Sequence, residues 1–360
     1  MNNWNQFLLL QGARASDGRV HDFGAALSAD DLAAGFVAPI TDLGLIAASG
    51  DDAASFLHSQ LTNDVEHLGG AEARLAGYCS PKGRLMASFL IWRNDTSIFL
   101  QLPRDIQPPL QKRLQMFILR AKAKLHDATG DSANAVILGL GGAKAEAILA
   151  NCFGALPGAP YAKLEQAAHG TLIRVADAFG APRYQWLMSA ETAQAVWPTL
   201  AASLAKGGND AWRLAEVHAG VPQIGSGTQE QFVPQMVNFE LLGGVNFKKG
   251  CYPGQEIVAR SQYLGKLKRR TTLVTIAGTD AQAGAKAGDE VFAVADPAQP
   301  CGMIVNAAPN GMGGVDALVE MKLSAIEQGT AETGGVRLGS AQGAPLRFLA
   351  MPYILDALDL

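Results

Sequence analysis

The run Lys248-Lys249-Gly250-Cys251-Tyr252-Pro253-Gly254-Gln255-Glu256 sets one thiol among two cations, two glycines and a carboxylate. A single loop cysteine is not a metal site, because zinc or an iron–sulfur cluster needs several ligands. It can be a nucleophile or a redox thiol, since a neighbouring cation favours the thiolate. Lys248, Lys249 and Arg260 bring such charge. Lys266, Lys268, Arg269 and Arg270 extend it, as a solvated basic face or as a hold on an anionic ligand. Gly250 and Gly254 allow backbone angles that other residues resist, and Pro253 stiffens the link between them. That is the build of a tight feature beside a ligand; a plain turn with a buried cysteine is the structural alternative. Glu256 accepts hydrogen bonds from a heterocycle, or else pairs with Lys249 or Arg260.

Two further stretches carry polar groups in short loops. Leu61-Thr62-Asn63-Asp64 can bind a polar ligand edge or satisfy loose backbone groups at a helix end. Tyr78-Cys79-Ser80-Pro81-Lys82-Gly83-Arg84 reads first as a turn, with a lysine and an arginine that can contact an anion. There is no GxxxxGK[ST], no GxGxxG after a strand, no HExxH and no GxSxG. The six histidines are scattered, which gives a multi-histidine metal centre no support, and no metal site is expected. His218 reads as a local hydrogen bonder.

These loops need a scaffold, and 360 residues supply two or three domains. Apolar residues make up 48% and charged residues 17%, the balance of a folded chain. A net charge of −4 argues against stable nucleic-acid binding. The opening residues lack a secretory pattern, and no apolar stretch is long enough to cross a bilayer. Cys79, Cys152, Cys251 and Cys301 stand far apart, which fits free thiols in a reducing cytoplasm.

The pattern of elements divides the chain into three parts, 1–120, 121–270 and 271–360. In the first, a strand over Leu43–Ala48 leads to a helix AASFLHSQL that Asp51 or Asp52 can cap. A hairpin turning at Ser80-Pro81-Lys82-Gly83 follows, returning as a strand over Met86–Trp92, and a helix spans Pro108–Phe117. The second part alternates strands and helices. Its helices include one ending at Gly154, one over 190–206 and one over 211–222; the last carries Trp212, a core residue or a stacking surface for a flat ligand. After Arg270 come short strands separated by glycine, proline and asparagine, the texture of a small β-barrel or sandwich.

KGCYPGQE at 249–256 resembles the signature of the YgfZ family, folate-binding proteins linked to tRNA modification and to iron–sulfur cluster assembly. LTNDV at 61–65, GYCSPKGR at 77–84, VHAGVP at 217–222 and FVPQMVNFE at 232–240 match in order and spacing. The likeness covers roughly residues 38–350. A more distant resemblance is to the aminomethyltransferase of the glycine cleavage system. Together these imply an α+β fold, a three-domain cloverleaf around a central folate channel with a C-terminal β-barrel. They imply Cys251 as the family's characteristic cysteine. Asn63, Trp212, Lys249, Gln255 and Glu256 would bind tetrahydrofolate or a derivative, Glu256 reading the pterin edge.

Two departures bear on function. The family's other folate-linked tryptophan falls by spacing near Leu43, where this chain has no aromatic. The aminomethyltransferase's paired aspartates fall at Ala87-Ser88, which supply no carboxylate to activate a folate-bound amine. The resemblance therefore implies a folate-dependent factor for assembly or repair of iron–sulfur clusters, with cluster client or assembly proteins as partners and tRNA methylthiolation as an indirect beneficiary. A one-carbon transferase and a folate-binding adaptor without chemistry are the alternatives.

Overall fold

The computed structural model describes residues 3–265, 267–278, 284–331 and 334–355. The chain forms two compact units, neither of them continuous. Residues 1–56, 66–74 and 90–215 make the first, and 57–65, 75–89 and 216–360 the second. Lys266, part of the basic run, lies outside the described residues.

In the first unit a six-stranded sheet runs in the order Lys163–Gln166, Gly170–Ala178, Ala181–Met188, Val136–Gly141, Phe36–Pro39 and Ala205–Lys206. Alternate side chains, such as Val136, Leu138 and Leu140, point to one buried face, as the two-residue period of a strand demands. Two helices close that face. Ala143–Phe153 buries Ala145, Leu149 and Phe153, and Ala190–Ser203 buries Ala193, Trp197 and Leu200, both rows at helical spacing. The first of these stops at Gly154, φ +73°, the expected glycine end. The second stops at Ser203 rather than 206, because Ala205–Lys206 pairs with Phe36–Val37 as a strand. An N-terminal helix, Asn3–Leu10, sets Trp4 edge-on to Trp197 at 5.8 Å.

A five-stranded sheet has the order Ala73–Cys79, Leu85–Arg93, Ser97–Pro103, Leu43–Ser49 and Lys124–Asp127. Its first two strands form the foreseen hairpin around Ser80–Gly83. The helix foreseen after Leu43–Ser49 spans Ala53–Gln60. Asp52 sends its carboxylate elsewhere than the expected cap: Oδ2 accepts the Lys122 amide at 2.7 Å.

The second unit is built on a six-stranded antiparallel sheet. Its order is Val336–Leu338, Glu290–Ala293, Gly302–Pro309, Val315–Lys322, Arg269–Ile276 and Leu346–Leu349. A bridge between Arg337 and Pro345 brings its two ends together, so the sheet is nearly closed around Val274, Ile304, Val319 and Met321. The sequence pattern did not reveal Val336–Leu338, a three-residue strand flanked by glycines. Nor did it reveal the helix Leu323–Ala331, whose Gly329 lets the Phe348 ring pack against the backbone.

Candidate functional site

Three loops named by the sequence converge in the second unit. The first leaves the Ala53–Gln60 helix. Thr62 Oγ1 donates to the Gly244 carbonyl at 2.6 Å and accepts from the Gly77 amide at 2.7 Å. Asn63 Nδ2 donates to the carbonyls of Leu75 and Gly243, both at 2.7 Å, and its Oδ1 accepts the Asp64 amide at 2.8 Å. Every polar atom of the Asn63 side chain is therefore bound to main chain. Thr62 and Asn63 tie loop to strand, the structural alternative left open by their composition.

The second and third loops interlock through two glycines. Gly254 has φ +79°, and a side chain there would crowd Ser80 O and sit 2.7 Å from Gly83 Cα. Gly83 has φ +69°, and a side chain there would sit 2.8 Å from Ile257 Cβ. Only glycine permits both the angles and the approach. Gly250 is different: its φ is not positive, and an added Cβ would meet only His58 Nε2, at 3.7 Å. The conformational demand expected of both glycines falls on Gly254 alone.

Lys249 holds the thiol loop to the first loop. Its Nζ donates to the carbonyls of His58 at 2.5 Å and Leu61 at 2.9 Å, at the end of the Ala53–Gln60 helix. A cation there answers both the free carbonyls and the negative end of the helix dipole. The same ammonium stands 4.9 Å above the ring of Tyr252, which is buried, while Cys251 beside it is exposed. Burial, with Cys79 nearby, pushes the Tyr252 hydroxyl well up. Burial likewise pushes the Cys79 thiol up to about 12 and raises Cys152 and Cys301. All four cysteines are free. Cys251 is the one exposed thiol among them.

Gln255 and Glu256 open the helix Gln255–Tyr263, and Glu256 is exposed. Among the described residues neither side chain has a partner, so Glu256 makes neither of the ion pairs weighed for it. The basic run divides. Arg269 makes a paired contact with Glu320, and Arg270 is buried against Glu240 at 2.5 Å. Both arginines are committed to buried glutamates, Arg270 itself buried and Arg269 partly exposed, and burial raises the carboxyls of Glu240 and Glu320 despite these pairs. Lys268 is exposed.

Trp212 belongs to the first unit. It is 2% exposed, with the Arg183 guanidinium 4.8 Å over its ring. Gly139 lies so close that a side chain there would sit 2.7 Å from Cζ3 of the indole. The ring is a core residue, but its buried Nε1 has no acceptor among the described residues. Sequence reasoning passed over His58, whose Nδ1 lies 3.0 Å from Asp64 Oδ1 and whose ring edge borders Gly250. No spacing signal marks that pair, because a helix end separates them. His218 is the local hydrogen bonder expected, its Nε2 being 2.7 Å from Asp316 Oδ2. At the position where the aminomethyltransferase's aspartates would fall, Ser88 Oγ accepts the Ile224 amide at 3.0 Å. Among the described residues no cluster of His, Cys, Asp and Glu could hold a metal, and no helix is long and apolar enough to cross a membrane.

The fold is that of the aminomethyltransferases. It is similar to the glycine cleavage system aminomethyltransferase T of Bartonella henselae, with a TM-score of 0.73 and 16% identity over 97% of this chain and 96% of that one. No family model matches the chain. Among curated proteins it is similar to the tRNA-modifying protein YgfZ of Klebsiella pneumoniae, 34% identical over 245 residues, 67% of this chain and 71% of that protein. The namesake from Edwardsiella ictaluri is 34% identical over 225 residues, and the match spans 66% of its length. The chain belongs to the YgfZ family.

Proposed function

We propose that this chain is a folate-binding protein that supports assembly or repair of iron–sulfur clusters, and through them tRNA methylthiolation, in the cytoplasm. The observation that carries the reading is the single exposed thiol. Cys251 is held out by an interlocked pair of glycine turns and a lysine cap, inside the motif that the family shares, while burial makes the other three thiols poor nucleophiles. The names of the relatives, tRNA-modifying proteins, support the tRNA connection.

Folate fits these residues in part. When bound, it supplies a reduced pterin able to carry a one-carbon unit. Gln255 and Glu256 would hold its amide edge, since their polar groups are uncommitted among the described residues. Trp212, which the resemblance would set against the ligand, is a core ring of the first unit, 2% exposed, and offers a ligand no open face. Asn63 and Lys249, expected to touch the ligand, have their polar atoms committed to main chain and instead fix the loop. No carboxylate stands at Ala87-Ser88 to activate an amine, which favours a maintenance role over aminomethyl transfer.

Two measurements test the reading. Calorimetry with tetrahydrofolate should detect binding, weakened by roughly 1–3 kcal/mol in Glu256→Gln; no binding at millimolar ligand defeats the folate part. A strain lacking the family protein should regain a cluster enzyme's activity and methylthiolated tRNA from the natural chain but not from Cys251→Ser. Equal rescue by Cys251→Ser would leave the adaptor reading in its place.

A further inference from the structure

The Gln255–Tyr263 helix buries one of its nine residues, Val258. Ile257, Tyr263 and Leu264 are instead 42, 67 and 84% exposed. Helical spacing puts 257, 260 and 264 in one row, with 256 and 263 in the row beside it. A surface helix ordinarily turns its large apolar side chains inward, and a group of them facing out marks a contact surface.

Two packing contacts extend this face. The Phe247 ring meets Tyr263 edge-on at 5.8 Å, which carries Lys248 to the last turn of the helix. Gly83 lies against Ile257, which carries Lys82 to the first turn. Lys82, Lys248, Arg260 and Lys268 are exposed and, among the described residues, have no acidic partner. Glu256 is the one acid in the helix rows, in a chain whose net charge is −4. Cys251 opens onto solvent just before the helix begins.

We propose that this face docks a protein partner whose contact region is apolar and rimmed by carboxylates, and that docking brings the partner to Cys251. Charge complementarity names the rim, since Arg260 stands in the apolar row, Lys82 and Lys248 are carried to its two ends, and Lys268 follows Leu264 by four residues. The apolar row itself argues for a folded protein: Ile257 and Leu264 gain nothing from a phosphate backbone but are buried by an apolar patch. The inference rests on the reading that Cys251 serves a partner.

The test uses the full chain in the strain lacking the family protein, with cluster-enzyme activity and methylthiolated tRNA as readouts. One variant joins Ile257→Ser to Leu264→Ser, and another joins Arg260→Glu to Lys268→Glu. Met312→Ser and Lys286→Glu, exposed elsewhere in the same unit, serve as controls. Unchanged urea midpoints, followed by far-ultraviolet circular dichroism, certify that each variant is folded. Both face variants should lower both readouts roughly tenfold or more, as loss of central interface contacts does. The controls should retain them. Full support from the apolar variant overturns the proposal; harm from charge reversal alone would point to a polyanion instead. The two readings fail separately. Full rescue by Cys251→Ser defeats the thiol reading, whereas full rescue by the face variants beside an inactive Cys251→Ser defeats only the docking surface.

Discussion

Replacing Gly254 by alanine should damage the thiol loop, and replacing Gly250 by alanine should not. Gly254 sits at φ +79°, where a residue with a side chain pays about 1–2 kcal/mol. The added methyl would also lie 2.7 Å from Gly83 Cα, against backbone that cannot swing aside. Overpacking of that kind typically costs about 1–3 kcal/mol. A loss of about 2–5 kcal/mol is therefore expected for Gly254→Ala from the two effects combined. At Gly250 the φ is not positive and the nearest atom to the new methyl is 3.7 Å away. Alanine there should be neutral, or favourable by about 0.4–1 kcal/mol through a less free unfolded chain. Urea unfolding followed by far-ultraviolet circular dichroism measures both. Tryptophan fluorescence is the wrong probe, because all five tryptophans (4, 92, 186, 197 and 212) belong to the first unit. The two variants make the same chemical change four positions apart, so their difference isolates geometry. If Gly254→Ala stays within about 0.5 kcal/mol of the natural chain, the range of an ordinary surface change, the interlock is not what holds the loop. Equal damage from Gly250→Ala would refute the argument as well.

Lys249→Met should cost about 2 kcal/mol in the same assay, since two carbonyls lose a charged donor. Iodoacetamide at neutral pH should label Cys251 in the native protein, and should reach Cys79 and Cys301 only after denaturant is added; native labelling of Cys79 would contradict its burial. Asp316 gives a pH signature. Burial alone would raise its carboxyl, but hydrogen bonds from His218, Thr275 and Asn310 hold it below the usual range. The unfolded chain then takes up the proton first. The stabilisation is complete above the unfolded aspartate value of about 3.9 and fades as pH falls through the lower folded one. Unfolding midpoints between about pH 6 and 2.5 should therefore fall less steeply in Asp316→Asn; an identical slope would remove Asp316 from the account.

Much of this architecture is legible in the residues because local rules and tertiary packing agree. The Ala143–Phe153 helix has an apolar row and a glycine stop, and the hairpin at Ser80–Gly83 has its turn written in proline and glycine. Elements whose cause is remote are not legible. Ala205–Lys206 becomes a strand only because Phe36–Val37 offers an edge. At the site, sequence located all three loops but not the division of labour within them. Nothing local tells that Asn63 binds the Gly243 carbonyl 180 residues away, that Lys249 binds carbonyls 188 and 191 residues away, or that Arg269 and Arg270 meet buried glutamates. Trp212 shows the same limit: its type allows stacking on a ligand, and only the neighbouring Gly139 and Arg183 reveal a core ring.

The discontinuity of the second unit sets a timetable for its synthesis. Thr62 waits for Gly244, 182 residues downstream, and Leu61 waits for Lys249, 188 downstream. At about 5–20 residues per second that is a delay of roughly 10–40 s on the ribosome. During it the Ala53–Gln60 helix has no lysine at its end, and Cys79 has no Tyr252 beside it. A thiol that the finished protein keeps dry thus lacks one of its neighbours until translation reaches Tyr252. The exposed thiol, by contrast, emerges when most of its supporting loops have already been translated.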